Sequence, residues 1–213
     1  MSMLMRAPRE CASWEWELED FADPGLGSAL MVASQMSAVL REQGLIEPEG
    51  IEWLWFVRGV GGIGVTTRLS VSGLLNDVQL VERVLQSRPT GFPDAEVGAI
   101  SVTGPGLWLD AEGVERYESG LVSLSVSPDD ISLAADLSVH HDIWGYCDFK
   151  GVPHPEIQKR NAPRLTAALR SLTELLGTEA QPGEPTYFGQ AVGYEVAMPH
   201  LINGLGPDLS DRL

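Results

Sequence analysis

Residues 119–139 read Ser119-Gly120-Leu121-Val122-Ser123-Leu124-Ser125-Val126-Ser127-Pro128-Asp129-Asp130-Ile131-Ser132-Leu133-Ala134-Ala135-Asp136-Leu137-Ser138-Val139. Two strand-like runs, 119–127 and 131–139, flank a Pro-Asp-Asp turn. In the second run Ile131, Leu133, Ala135, Leu137 and Val139 alternate with Ser132, Ala134, Asp136 and Ser138. Successive side chains of a strand point to opposite faces, so this pattern gives one core face and one wetter face. Pro128 presets the backbone for a type I turn. A hairpin with one solvated face is an antiparallel device, and this one sets the fold class.

Working toward the N-terminus, Trp14-Glu15-Trp16-Glu17-Leu18-Glu19 repeats the alternation with carboxylates on one face. It predicts a half-buried strand ended by Asp23-Pro24-Gly25. Ser28 reads as the N-cap of a helix over 28–43, with Val32, Met36, Val39 and Leu40 inward and Gly44 as the stop. Residues 52–57 and 65–71 read as a second hairpin around the glycine-rich loop 59–64. Asn76 caps a predicted helix to Gln86, with Val78, Val81, Val84 and Leu85 inward. Strands are expected at 97–103, 107–110 and 144–149.

Working toward the C-terminus, a helix is expected over 161–176, with Pro163 in its first turn and Gly177 as its stop. Residues 178–213 hold four Pro and five Gly and read as a tail, with Tyr187, Phe188, Val192 and Tyr194 able to dock. The resulting expectation is an α+β fold with an antiparallel or mixed sheet and about three helices on one face. The hairpin-plus-helix order occurs at 52–86 and again at 119–176, which suggests two such units. Residues 1–177 then form one α+β domain, with halves 1–93 and 94–177.

The 213 residues carry 30 acids and 14 bases, a net charge of -16. Phosphate backbones are bound through basic surfaces, so direct nucleic-acid binding is not expected. No apolar stretch approaches a membrane span, and Arg6, Pro8 and Arg9 interrupt the only apolar run near the start. Cys11 and Cys147 are too few for a disulfide framework. These features point to a cytoplasmic protein. Twelve of the 14 bases are Arg, which fits a GC-rich coding bias. The acids cluster: residues 10–52 net -9 and residues 94–136 net -8, while the segments between and after them are near neutral.

Those clusters supply the first candidate site. Glu15, Glu17, Glu19 and Asp20 follow the strand alternation, and Glu112, Glu115 and Glu118 follow Asp110. Neither group has the spacing of an EF-hand loop. As charge they steer a basic partner protein. The second candidate is His140, His141, Asp142 and Asp148, with Cys147 and His154 nearby. A His with a carboxylate is an acid–base pair or a ligand pair. His140 and His141 fall on opposite faces of a strand, and no helical His or Cys-x-x-Cys spacing accompanies them, so no structural metal is expected.

Other chemistries lack their residues. Gly64 is followed by Val65-Thr66, so the glycine loop has neither the Lys of a phosphate loop nor a following helix. No Gly-x-Ser-x-Gly elbow is present. No cofactor is implied.

His141-Asp142-Ile143-Trp144, Asn161-Ala162-Pro163-Arg164-Leu165 and Gly183-Glu184-Pro185-Thr186-Tyr187-Phe188-Gly189 resemble a group of uncharacterised actinobacterial α+β proteins over about residues 120–190. That resemblance brings no catalytic motif. The small, acidic α+β profile is also similar to that of bacterial toxin-immunity proteins, which implies inhibition of a partner protein. A non-enzymatic, immunity- or antitoxin-like binder of a basic protein is therefore the leading expectation. A small enzyme or ligand binder using residues 140–148 is the alternative. Self-association through sheet edges or Trp faces is a third reading.

Overall fold

The computed structural model describes residues 4–71, 75, 78–128, 131–198 and 201–213. Among these, seven strands form one sheet in the order β3-β2-β4-β7-β8-β1-β9, and every neighbouring pair is antiparallel. In chain order they are β1 (Ala12–Glu17), β2 (Gly50–Val57), β3 (Gly61–Ser70), β4 (Glu96–Thr103), β7 (Val122–Pro128), β8 (Leu133–Val139) and β9 (Gln181–Pro182). β5 (Pro105–Leu109) and β6 (Glu115–Ser119) form a separate hairpin, as do β10 (Gln190–Val192) and β11 (Glu195–Ala197). The helices are α1 (Leu26–Glu42), α2 (Val78–Gln86) and α3 (Pro155–Leu176).

The alternation works as physics requires. Trp14, Trp16 and Leu18 are fully buried, and so are Leu133, Ala135, Leu137 and Val139. β1 pairs with β8 in a register that sets Trp14 beside Leu137 and Trp16 beside Ala135. From the other half of the sheet come Ile51, Trp53, Trp55, Ile100 and Leu124, on the same face. α1 packs on β4 and β7 and touches both other helices, so the helices share that face. Strands drawn from 1–93 and from 94–177 thus build one sheet and one core.

The helix starts differ from the sequence reading. α1 begins at Leu26 with Gly25 as its N-cap, so Ser28 lies inside the first turn and makes no cap. Gly25 has φ +116°, a conformation that glycine adopts at low cost. α3 begins at Pro155, six residues before the expected start. Pro155 sits at the N-terminal turn, where its missing N–H costs nothing. Pro163 is therefore inside the helix, which runs through it because both flanking segments bury apolar side chains. In α2, Leu80 and Val84 face the core while Leu85 is exposed. The expected cap Asn76 and the turn residues Asp129 and Asp130 lie outside the described residues.

Other departures lie in strands and loops. Gly61–Gly64 belong to β3, and only residues 58–60 make the turn. Ile131 is 87% exposed, outside β8. The 119–127 run divides, with β6 ending at Ser119 and β7 beginning at Val122. Residues 144–149 form no strand: a 3-10 turn covers Asp142–Trp144 and irregular chain follows, pinned by Asp148.

The Pro- and Gly-rich segment after Gly177 is laid back over the domain. Thr186 Oγ1 donates to the Glu10 carbonyl at 2.7 Å, and Trp14 Nε1 donates to the Gly193 carbonyl at 2.7 Å. Phe188 is buried, edge-on to Phe149 with ring centres 5.3 Å apart. The Leu209 N–H reaches the Phe149 carbonyl at 2.7 Å. Tyr187 and Val192 remain exposed.

Candidate functional site

Because Trp14 and Trp16 point inward, Glu15 and Glu17 must point outward, and both are exposed. Across the strand pair, Glu15 faces Asp136 and Glu17 faces Ala134. The registers continue this rung over the sheet: Asp136 opposes Ser125, Ser125 opposes Ser101, Ser101 opposes Glu52 and Glu52 opposes Arg68. The outward face is thus acidic at β1 and β8 and small and polar in its middle. Burial pushes the Asp136 carboxyl up to about 6, with the charges of Glu15 and Glu10 adding to the rise. Glu19 and Asp20 are exposed in the turn after β1.

Glu112, Glu115 and Glu118 stand on a different unit, the β5–β6 hairpin against α3. Asp110 shapes that hairpin's tip. Its Oδ1 accepts the Glu112 and Val114 N–H groups at 3.1 and 2.8 Å, and its Oδ2 accepts Arg116 Nε and a terminal guanidinium nitrogen at 3.1 and 3.0 Å. The Val114 N–H and Arg116 hold this carboxyl below the usual range. Asp110 is therefore an architectural carboxylate. β3 and β9, not β5 or β6, flank the main sheet, so the two acidic groups share no strand pairing.

The four residues at 140–148 differ in their hydrogen-bond partners, although the charge of Asp148 adds to the rise at Asp142 and that of His140 to the fall at His141. His140 is half-buried, with Nε2 3.5 Å from Ser138 Oγ. His141 is buried with no partner for Nδ1, and burial followed by the charge of Arg6 pushes it down to about 4. Asp142 is buried at the start of the 3-10 turn, where its Oδ1 accepts the Met5 N–H at 3.2 Å. Burial pushes Asp142 up to about 7. Asp148 Oδ1 accepts the Lys150 and Val152 N–H groups at 2.9 and 2.8 Å, which folds the loop before α3.

A cavity of about 420 Å³ lies beside this corner, lined by Asp148, His154, Glu156 and apolar side chains but not by His140, His141 or Asp142. His154 Nε2 is held 3.0 Å from the Gly145 carbonyl. Both cysteines are free and buried, and burial raises both thiols, so neither is a ready nucleophile. Among the described residues, no group of three His, Cys, Asp or Glu side chains is arranged to hold a metal.

Sequence reading found Glu15 and Glu17 from alternation alone. It did not single out Asp136 as their neighbour, because that requires the β1–β8 register. Comparison with family models, with curated proteins and with solved structures finds no match to this chain. No helix among the described residues is long and apolar enough to cross a membrane.

Proposed function

We propose that this chain is a non-enzymatic protein-binding module whose acidic β1 face receives a basic partner protein. The concrete form is an immunity- or antitoxin-like inhibitor. One observation carries the reading: Glu15 and Asp136 are directly opposed across two strands. Like charges in that position destabilise a sheet, and salt bridges to Lys or Arg would relieve them. No such bridge to either residue is present among the described residues. A cationic partner would supply it, and a net charge of -16 would speed the encounter. The backbone hydrogen bonds that Asp142 and Asp148 accept, and the lining of the adjacent cavity without His140, His141 or Asp142, favour this reading over catalysis at that corner.

The test is capture from native-host lysate on the immobilised chain at low salt, followed by elution with rising salt and mass spectrometry. A basic protein should be captured by the wild type and by E112K/E115K/E118K. It should be lost from E15K/E17K/E19K/D20K. Equal capture by that last variant overturns the proposal.

A further inference from the structure

The main sheet has two unlike edges. One is β9, which is two residues long and includes Pro182, a residue with no N–H to offer. The other is β3, which is ten residues long, holds no proline and carries Arg68 as its one charge. A row of unpaired backbone groups is a template for another strand, so a long edge of this kind is normally blunted or covered. The helices do not lie over it: α1 packs on β4 and β7, and Val65 and Leu69 of β3 are only partly buried against the core.

The β2–β3 register identifies the free groups. The Val71 N–H donates to the Glu49 carbonyl at 2.9 Å, and Leu69 with Ile51 and Thr67 with Trp53 stand at the next alternate rungs. Bonded and non-bonded pairs alternate in an antiparallel ladder, so Thr67 and Leu69 turn their backbone groups toward β2. Thr66 and Arg68 turn theirs to the open edge, where these groups have no partner among the described residues. Gly64, with φ +71°, and the register shift beside it confine the irregular part of β3 to its start. Pairing with β2 is regular from Thr66 to Ser70.

This edge is complementary to itself. Antiparallel pairing about a two-fold axis at Thr67 sets Val65 opposite Leu69 of the second copy, Thr67 opposite its counterpart and Thr66 opposite Arg68. Apolar then meets apolar, threonine meets threonine, and no charge directly opposes a like charge. The Thr66–Arg68 rungs are also those whose N–H and carbonyl groups are free, so they become the bonded pairs of the new ladder. Charge favours the same side of the molecule. Residues 53–93 hold four Arg against Asp77 and Glu82, in a chain of net charge -16, so two copies meet here away from both acidic clusters. With β9 short and blunted by proline, the contact closes at a two-fold pair. We infer that β3 is a homodimerisation edge that joins two seven-stranded sheets into one. β1 lies toward the far side of each sheet, so pairing leaves both acidic faces free.

The test is analytical ultracentrifugation of the full chain over a concentration series up to about 1 mM, which reaches even weak dimers. The wild-type mass should rise from 23.1 kDa toward twice that value. Thr66→Pro removes an N–H that faces the open edge, so it should stay monomeric with an unchanged melting temperature. Thr66 is exposed, so charge can be placed there without disturbing the core. T66K sets Lys opposite Arg68 of the second copy and should weaken the dimer about two- to fivefold for each of the symmetric pairs. T66E sets a carboxylate there and should tighten it by a similar factor, although it makes each copy more acidic. A chain that stays monomeric to about 1 mM overturns the inference and leaves the edge to a strand of another protein. Dimers of T66P and T66K that match the wild type, or T66K tightening while T66E weakens, overturn it as well. The two exposed charge variants keep the test decisive even where T66P fails to fold.

Discussion

Glu15 and Asp136 occupy the same rung of the β1–β8 ladder, so two carboxylates of like sign meet on the outward face of the sheet. Asp136, whose carboxyl is raised to about 6, is half-buried, whereas Glu15 is exposed. Asp136 sits in the interior of the sheet, with β7 on its other side, whereas Glu15 lies one strand nearer the edge.

Asp136→Asn should therefore stabilise the protein at neutral pH. The folded-state pKa of Asp136 is raised from 3.8 to about 6. A raised carboxyl favours the fold while protonated, and that contribution is lost as pH rises from about 4 through about 6. At pH 7.5 the variant should gain about 1–2 kcal/mol over the wild type, and the gap should close near pH 4. Urea denaturation at the two pH values reads this. Equal stability at pH 7.5 contradicts the account.

His141 works in the opposite sense. Its pKa falls from 6.5 to about 4 in the folded state. The unfolded chain takes up its proton first, so stability is lost as pH falls from about 6.5 toward 4, by about 3 kcal/mol at most. The raised acids Asp136 and Asp142 gain stability over part of the same range, so the acid limb of the whole protein should be shallow. Ring chemical shifts should keep His141 neutral at pH 5. A half-protonated ring near pH 6.5 would show that the corner is open to water.

Arg164 joins three elements. Its guanidinium donates to the Gln43 carbonyl at the end of α1, at 3.0 and 2.6 Å, and to the Leu107 carbonyl of β5 at 2.8 Å. Arg164→Ala should cost about 2–3 kcal/mol, the scale of lost charge-assisted hydrogen bonds. Arg164→Lys should recover less than half of it, because an ammonium cannot span two carbonyls as a planar fork does. Full recovery by Lys, measured by denaturation, would show that charge alone matters.

Asn161 is fully buried and ties α3 to the same hairpin. Its Oδ1 accepts the Leu109 N–H at 2.9 Å, and its Nδ2 donates to the Leu109 and Ile157 carbonyls at 2.8 Å each. Asn161→Ala removes the side-chain partners of the Leu109 N–H and carbonyl and should cost about 2–4 kcal/mol. A loss under ~0.5 kcal/mol, the scale of an ordinary surface substitution, would mean that water takes its place.

Period-two alternation made β1, β7 and β8 readable, because a strand that buries one face must repeat at two. α1 and the C-terminal half of α3 were readable for the matching reason at period 3.6. Three features were not legible. The first turns of α3 lie before Pro163, and a proline reads as a boundary unless tertiary burial carries the helix through it. β6 has no buried residue, so Glu115-Arg116-Tyr117-Glu118-Ser119 shows no buried period. The run 144–149 is apolar because it packs around α3 and Phe188, not because it pairs in a sheet. At the candidate site, Glu15 and Glu17 were visible from the strand pattern. Their neighbour Asp136 was not, since it comes from a strand far along the chain.

β1 is made well before β8, the strand that it pairs with. During synthesis, Trp14 and Trp16 therefore leave the ribosome long before Leu137 and Ala135 exist to cover them. The closing step of folding is a long-range one, and steps of that kind are slow and leave apolar surface exposed to aggregation. Glu15, Glu17, Glu19 and Asp20 are interleaved with and follow those tryptophans, so the nascent segment carries its own electrostatic shield while it waits. Glu15, which meets a like charge in the finished ladder, would thus help to keep the unfinished one soluble.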